Sequence, residues 1–362
     1  MLPDRLAAQL LTGPPARDPV AVAERLLAIQ AQDLRGALLA VRARSTGLTR
    51  TDVEDACTRD RSLVVTWLNR GTLHLVRAVD YPWLQVLTAP RTRVANARRL
   101  QQEGVDGSTA TRGVEVIVDA LGREGALTRG QLRERLDAVG VRTEGQALVH
   151  LLVRASLDGH VVRGPFVGGT QAFVLTSDWL GDAEVVPREE ALARLARRYL
   201  AGHGPADDRD LAKWSGLPLG DARAGLAAIA AELIERPEGG VELRGRRRRV
   251  TQRSPARLLG QFEPLLLGWR SRTEVLGTHQ GVVTVNGLFR AIALVDGEAV
   301  GTWRIEPSAV ELAPFGPLAE SVSRALERDA ADVLRYLALP SRPFEVGEPP
   351  GTRSKTAGRR RP

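Results

Sequence analysis

The stretch Thr128–Leu175, TRGQLRERLDAVGVRTEGQALVHLLVRASLDGHVVRGPFVGGTQAFVL, decides the fold. Thr128 and Gln131 form a capping-box pair, with Leu132 and Leu136 behind them on one helical face. Thr143 and Gln146 repeat the pattern, followed by the apolar stripe Leu148, Leu151, Leu152 and Ala155. Two capped helices across a short turn predict a helix-turn-helix, ended by Asp158-Gly159. Val161–Arg163 and Gln171–Leu175 then read as strands around the loop GPFVGGT, which is placed as a wing is.

The same layout is expected twice more. Upstream, Asp18 caps a helix with Pro19 at its first position, and Val22, Leu26 and Ile29 share a face. Leu34, Leu38 and Val41 mark a second helix, and Thr49 with Asp52 opens a third that runs through Cys57. Leu63–Leu68 and Thr72–Val76 read as strands joined by Asn69-Arg70-Gly71. Downstream, Asp208 caps a helix with Leu211 and Trp214, Ser215–Pro218 turn the chain, and Leu219–Ala230 form the next helix. Val241–Leu243 and the basic run Arg244–Arg249 are expected to make its hairpin. From about Arg257 the texture becomes β-like, with Asn286-Gly287 and Asp296-Gly297 as hairpin turns and Leu318–Leu337 as a closing helix. The expected class is therefore α+β: tandem winged-helix units, then a small C-terminal β-barrel. The units run 1–105, 106–182, 183–254 and 255–345, with a disordered basic tail at 346–362.

Composition narrows the partners. The chain has 362 residues, 43% hydrophobic and 26% charged, with a net charge of +8. Such a balance favours a polyanion. Lys213 and Lys355 are its only lysines, so the cation is arginine, which suits bidentate contacts to phosphate and guanine. One cysteine, Cys57, excludes an internal disulfide and a cysteine-rich zinc site. Cys57 itself reads as a buried small hydrophobe. The histidines at 74, 150, 160, 203 and 279 lack ligand spacing, so no metal is expected. Walker, GxGxxG and GxSxG motifs are absent, and with them any nucleotide cofactor. With no membrane-length apolar run and no signal-peptide pattern, a cytoplasmic protein is expected.

Two stretches hold the candidate chemistry. In LLAIQAQDLRGALLAVRAR (26–44), Gln30 and Gln32 sit between two amphipathic helices, where a break in the helix lets both amides face one cleft. On spacing alone they read equally as junction glutamines that cap helix ends or meet solvent. In TWLNRGTLHLV (66–76), strand alternation puts Thr72 and His74 on one face and Leu73 and Leu75 on the other. By itself His74 reads as a satisfied structural histidine, and Arg70 at the hairpin tip as a phosphate contact or a solvated charge. Arg246 and Arg247 belong to a basic run suited to gripping phosphates or to making a solvated edge. Trp269, beside Arg270 and Arg272, is the tryptophan best placed to face DNA, whereas Trp67, Trp83, Trp179 and Trp214 read as core anchors.

Taken together these segments resemble the AlkZ/YcaQ-type winged-helix DNA glycosylases, from about residue 4 to 338. The marks are Gln-Ala-Gln at 30–32, Arg-Gly-Thr-Leu-His at 70–74, FEPLLLGWRSR at 262–272 and VDGEAVGTW at 295–303. Phe262-Glu263 departs from the family's usual Phe-Asp. The resemblance implies a concave channel for double-stranded DNA and excision of purines alkylated at N7, extending in some members to interstrand cross-links. It maps the family's catalytic Gln-X-Gln onto Gln30 and Gln32, on the AlkZ side, since the YcaQ branch carries aspartate at the second position. Arg70, Thr72, His74, Arg246, Arg247, Trp269, Arg270 and Arg272 are the expected DNA-binding or lesion-proximal set.

Two amides suffice for such a reaction. Glutamine is no general base. An N7-alkylated purine, however, already carries positive charge and leaves readily. Oriented carbonyl dipoles and a positioned water then meet the developing sugar cation. With so few lysines a Schiff-base lyase step is not expected, so the enzyme is read as a monofunctional monomer. The alternative reading is a winged-helix DNA-binding regulator without catalysis.

Overall fold

A computed structural model of the chain describes residues 1–181, 186–245 and 254–349. Asp18 accepts the Ala21 amide at 2.7 Å and Pro19 takes the first helical position, so the helix Pro19–Leu26 opens as its residues dictate. It stops at Leu26 because Leu27 adopts φ 65°. Ile29, expected on the same helical face, instead starts strand β1 (Ile29–Gln30). Asp33 then caps the helix Leu34–Arg42, and the Thr49–Asp52 box opens the helix Arg50–Thr58. Strands β2 (Leu63–Trp67) and β3 (Leu73–Arg77) flank a single 3-10 turn, Asn69–Gly71.

The long helix Tyr81–Gln102 leads to the second unit: helices Gly107–Glu124, Arg129–Ala138 and Ala147–Leu157, then β4 (Val161–Val167) and β5 (Thr170–Leu175). The Thr128–Gln131 box is present, but the one expected at Thr143–Gln146 is not. Thr143 donates to Asp137 of the preceding helix, and the Gln146 amide finds Glu103 at 2.9 Å. An acid from a neighbouring helix thus takes over the cap. The two hairpins join in one sheet of order β1-β3-β2-β4-β5, through Val65 opposite Arg163. The stretches 1–105 and 106–182 therefore share a sheet, and β4 covers the edge that β2 would otherwise expose.

In the third unit Asp207, not Asp208, caps the helix Asp208–Ser215, with Asp210 closing the box. Gly216 ends it in the left-handed region at φ 76°. After the helix Leu219–Ala228, strand β6 (Leu233–Glu235) pairs with β7 (Val241–Leu243). The hairpin is thus made with the residues before Val241 rather than with the basic run after it. Residues 246–253 lie outside the described residues, Arg246 and Arg247 among them, as do residues 350–362 of the basic tail.

The C-terminal unit corrects a larger expectation. Strands β8 (Arg257–Leu259), β9 (Ile292–Val295), β10 (Glu298–Ile305), β11 (Val310–Pro314) and β12 (Phe344–Val346) form an open sheet of order β12-β11-β10-β9-β8, not a closed barrel. Closure would require β8 to pair with β12. Instead the Leu258 amide donates to Asp329 at 2.6 Å, from the closing helix Glu320–Tyr336, which satisfies the free edge. Asp296-Gly297 does make the β9–β10 hairpin. Around Asn286-Gly287 there is only a tight loop closed by one bridge, Val283 to Phe289. One core joins Val65 and Leu75 of the first sheet to Leu312 and Val333 of this unit. A second joins Leu84 to Tyr199 and Leu265.

Candidate active site

Gln30 and Gln32 owe their positions to a break between two helices. Leu27 turns the chain out of the first, Asp33 starts the second, and the residues between run extended along β3. Gln30 faces His74 across that pairing, His74 faces Thr66 on β2, and the Ala31 amide donates to Leu73 O at 2.7 Å. Alternation then does the rest. Ile29 and Ala31 enter the core, so Gln30 and Gln32 emerge on the opposite face. Gln30 is buried and its Oε1 has no hydrogen-bond partner. Gln32 is exposed, its Oε1 accepting from the Leu73 amide at a long 3.5 Å.

His74 completes this face. It is 2% exposed, and its Nδ1–H donates to Thr72 O at 2.9 Å. Burial, helped by the Arg70 charge and opposed by that hydrogen bond, pushes its pKa down to about 3. The imidazole is therefore neutral at any working pH, and Nε2 keeps its lone pair. Thr72 donates back to Asn69 O at 3.3 Å.

Arg70 sits at φ 56° beside Gly71 at φ 76°. Its guanidinium is not free: Nη1 donates to Trp214 O and, at 3.1 Å, to Lys213 O, at the end of the helix Asp208–Ser215. Gly216 permits this, since a Cβ there would lie 2.9 Å from Arg70 Cγ and 3.1 Å from its backbone nitrogen. Desolvation and the Arg272 charge both press the Arg70 pKa down, which places Arg272 on the same side of the molecule. Arg272 donates to Leu266 O at 2.8 Å and lies 4.8 Å over the Phe289 ring.

The remaining expected residues stand elsewhere. Trp269 does not face outward. It is 3% exposed, donates to His203 O at 2.9 Å and carries Arg5 over its ring at 4.7 Å. Its indole N–H found a buried carbonyl, and the ring became a core anchor. Arg270 is exposed but held by Asp207 at 3.1 Å and by Asp210. Trp67, Trp83 and Trp214 are buried as expected, while half-buried Trp179 stacks under Arg61 at 4.1 Å. Burial, with a contribution from Glu54, pushes the Cys57 thiol up to about 12, so it is inert.

Three site neighbours escaped the sequence reading. Asn69 is fully buried and neither amide atom has a partner. Thr66 and Ser156 share a buried hydrogen bond at 2.9 Å, which carries the polar row on from His74. The strand alternation that flagged His74 would have found Thr66. Ser156 needed the packing of the helix Ala147–Leu157 against β2, which no local pattern states. Among the described residues no cluster of three or more His, Cys, Asp or Glu is placed to hold a metal, and no helix is long and apolar enough to cross a membrane.

The comparisons with known proteins bear on this arrangement. The model of the family "DNA glycosylase AlkZ-like" matches residues 23–336. The chain belongs to the AlkZ-like DNA glycosylase family. It is 28% identical over 371 residues to an interstrand DNA cross-link repair glycosylase of Streptomyces sahachiroi, covering 92% of this chain and 94% of that protein. It also resembles the solved structure of the Streptomyces sahachiroi DNA glycosylase AlkZ. The TM-score is 0.75 at 25% identity, over 96% of this chain and 98% of the other. The family match spans the Gln30–His74 face, the third unit's turn and most of the C-terminal sheet.

Proposed function

We propose that the chain is a monofunctional, monomeric glycosylase that hydrolyses the N-glycosidic bond of cationic, N7-alkylated purines in double-stranded DNA, with Gln30 and Gln32 as its catalytic residues. One observation carries the reading: a buried amide carbonyl, Gln30 Oε1, has no partner among the described residues and stands beside a histidine held neutral. A lone carbonyl of this kind is an acceptor waiting for a donor or a cation. In the reaction the C1′–N9 bond breaks with its electron pair going to the base, which leaves neutral; the positive charge passes to the sugar, and the water that adds at C1′ loses its proton to solvent. Gln30 Oε1 supplies negative potential to that sugar, and Gln32 at the exposed rim holds the water that attacks C1′. Neutral His74 repels neither the cationic base nor the sugar. Thr72 and Arg70 wall the lesion.

The three helix pairs with hairpins support a tandem winged-helix reading, in which they follow the duplex. Arg272, whose charge acts on Arg70, and the tip Val285–Leu288, where both apolar residues are exposed, are read as DNA contacts. The name of the Streptomyces relative supports extending the substrates to interstrand cross-links.

The test is release of N7-methylguanine from methylated duplex. Wild-type protein is expected to release it without metal or nucleotide. Gln30→Ala and Gln32→Ala are expected to lower the single-turnover rate by about 10²–10³-fold at unchanged fold stability, as for the loss of one oriented dipole. Binding confined to one DNA sequence, with no base released from any alkylated or cross-linked duplex, would favour the regulator instead.

A further inference from the structure

The helix Leu34–Arg42 leads away from the Gln30–Gln32 segment. Its far end, at about 1.5 Å per residue, lies roughly 13 Å on. There a polar cleft of about 250 Å³ opens between this helix and the C-terminal unit, lined by Arg42, Ser45, Arg257, Asp332, Arg335 and Tyr336 among others. Its acids are already engaged. Asp329 accepts from both Arg42 Nη atoms and from the Leu258 amide, Asp332 pairs with Arg42 and Arg335, and Asp52 is spent on capping Thr49. Ser45 donates to Val41 O.

What is left over is cationic or protic. Among the described residues Arg257 has a guanidinium with no hydrogen bond and no ion pair, and burial together with Arg42 and Arg44 lowers its pKa against the pull of Asp329 and Asp332. Arg42 Nε and the hydroxyl of fully buried Tyr336 also lack partners. A half-buried guanidinium with unused donors, backed by a free phenol, is a receptor for a tetrahedral oxyanion.

We propose that this cleft is a phosphate subsite, in which the half-buried Arg257 guanidinium takes one phosphate group, with Arg42 and the Tyr336 hydroxyl packed beneath it as backing. The group belongs either to the DNA backbone, about four nucleotides from the lesion at 3.4 Å per step, or to free phosphate; the backbone source rests on the glycosylase reading, the chemistry of the subsite does not.

The full chain is tested with inorganic phosphate, and separately with methylated duplex over a salt series. For a free anion, phosphate raises the Tm of wild type over chloride at equal ionic strength, and Arg257→Gln abolishes the rise. For a backbone phosphate, Arg257→Gln weakens duplex binding and lowers the slope of log K on log salt by about one, while single-turnover release on saturating DNA is unchanged. Tyr336→Phe, which keeps the packing, gives a smaller loss in whichever readout responds. In chloride alone Arg257→Gln should hold or raise Tm, since it removes an unpaired buried charge. A variant whose phosphate response and salt slope both match wild type overturns the subsite, as does a Tm that falls in chloride, which would make Arg257 structural. Wild type that releases no base but still answers phosphate through Arg257 sinks the glycosylase reading and leaves the subsite standing.

Discussion

Two buried polar clusters divide the labour of this molecule. Gln30, His74 and Asn69 are themselves neutral, with Arg70 as the charge beside them, and among the described residues three of their buried amide atoms lack partners: Gln30 Oε1 and both side-chain atoms of Asn69. Around Arg44, Glu263 and Gln9 the groups are as deeply buried, and Gln9 Nε2, Arg44 Nε and Glu263 Oε2 likewise lack partners among the described residues, but two of the groups are charged and those charges face each other. Arg44 and Glu263 form a direct ion pair at 0% side-chain exposure, Arg44 also donates to Gln9 Oε1 at 2.8 Å and Ala40 O at 3.0 Å, and Glu263 accepts the Leu265 amide at 3.1 Å. The charged cluster ties three distant parts of the chain: the N-terminal segment, the end of the helix Leu34–Arg42, and the C-terminal unit. The difference teaches where function can reside. The Arg44 and Glu263 charges answer each other inside the protein, so this cluster is structure. A buried neutral amide tolerates an empty partner position at modest cost and can offer it to a ligand.

The largest effect expected from this contrast is on stability. Arg44→Met leaves the Glu263 carboxylate buried and unanswered, and should cost about 3–5 kcal/mol in urea unfolding. Arg44→Met with Glu263→Leu should recover most of that loss, because a matched apolar pair no longer needs the charge. Gln30→Ala, at a similar depth, should change unfolding little while removing excision. If the single Arg44 variant proved as stable as wild type, the two clusters would not differ in kind.

His74 sharpens the comparison through pH. Its pKa lies at about 3 in the folded chain against 6.5 for the free side chain. Below pH 6.5 the unfolded chain takes up a proton that the folded chain refuses. The contribution is therefore fully present above pH 6.5 and is lost as pH falls toward 3, at up to about 1.4 kcal/mol per pH unit. His74→Gln should flatten that share of the stability profile. Excision by wild type should run flat through pH 6.5, since His74 never gains charge there. A rate that falls with a midpoint near 6.5 and follows His74 would show that the imidazole titrates, and the neutral-site argument would fail.

Much of this was legible in the residues. Capping pairs and Pro19 fixed where helices begin, and strand alternation put His74 opposite the leucines. What escaped had to do with neighbours far along the chain. Ile29 looked helical until Leu27 took a positive φ, a choice stabilised by the pairing of β1 with β3. Thr143 looked like a cap until Glu103 of another helix supplied one. The open C-terminal sheet depends on Asp329 reaching the β8 edge, a contact 71 residues apart. Trp269 beside two arginines read as surface, yet its N–H was claimed by His203. Gln30 and Gln32 stood out by pattern, but only the register against His74 separates them from ordinary junction glutamines.

The smallest expected effect concerns Arg70, which lies between the two kinds of cluster: charged, yet answered only by backbone dipoles. Its Nη1 caps the carbonyl end of the helix Asp208–Ser215, where the helix dipole favours a cation, and Arg91 approaches the same turn at 3.5 Å from Gly216 O. A purely phosphate-gripping arginine would leave stability untouched and lower the salt slope of DNA binding by about one when removed. A capping arginine would do the reverse. The two carbonyl contacts favour the second outcome, so Arg70→Gln should cost about 0.3–1 kcal/mol in unfolding and shift the salt slope by well under one. Because Arg70 also anchors the turn that carries Thr72 and His74, its loss should loosen that strand. Hydrogen exchange at the Leu73 and Leu75 amides should then quicken in Arg70→Gln and stay at the wild-type rate in Arg91→Gln.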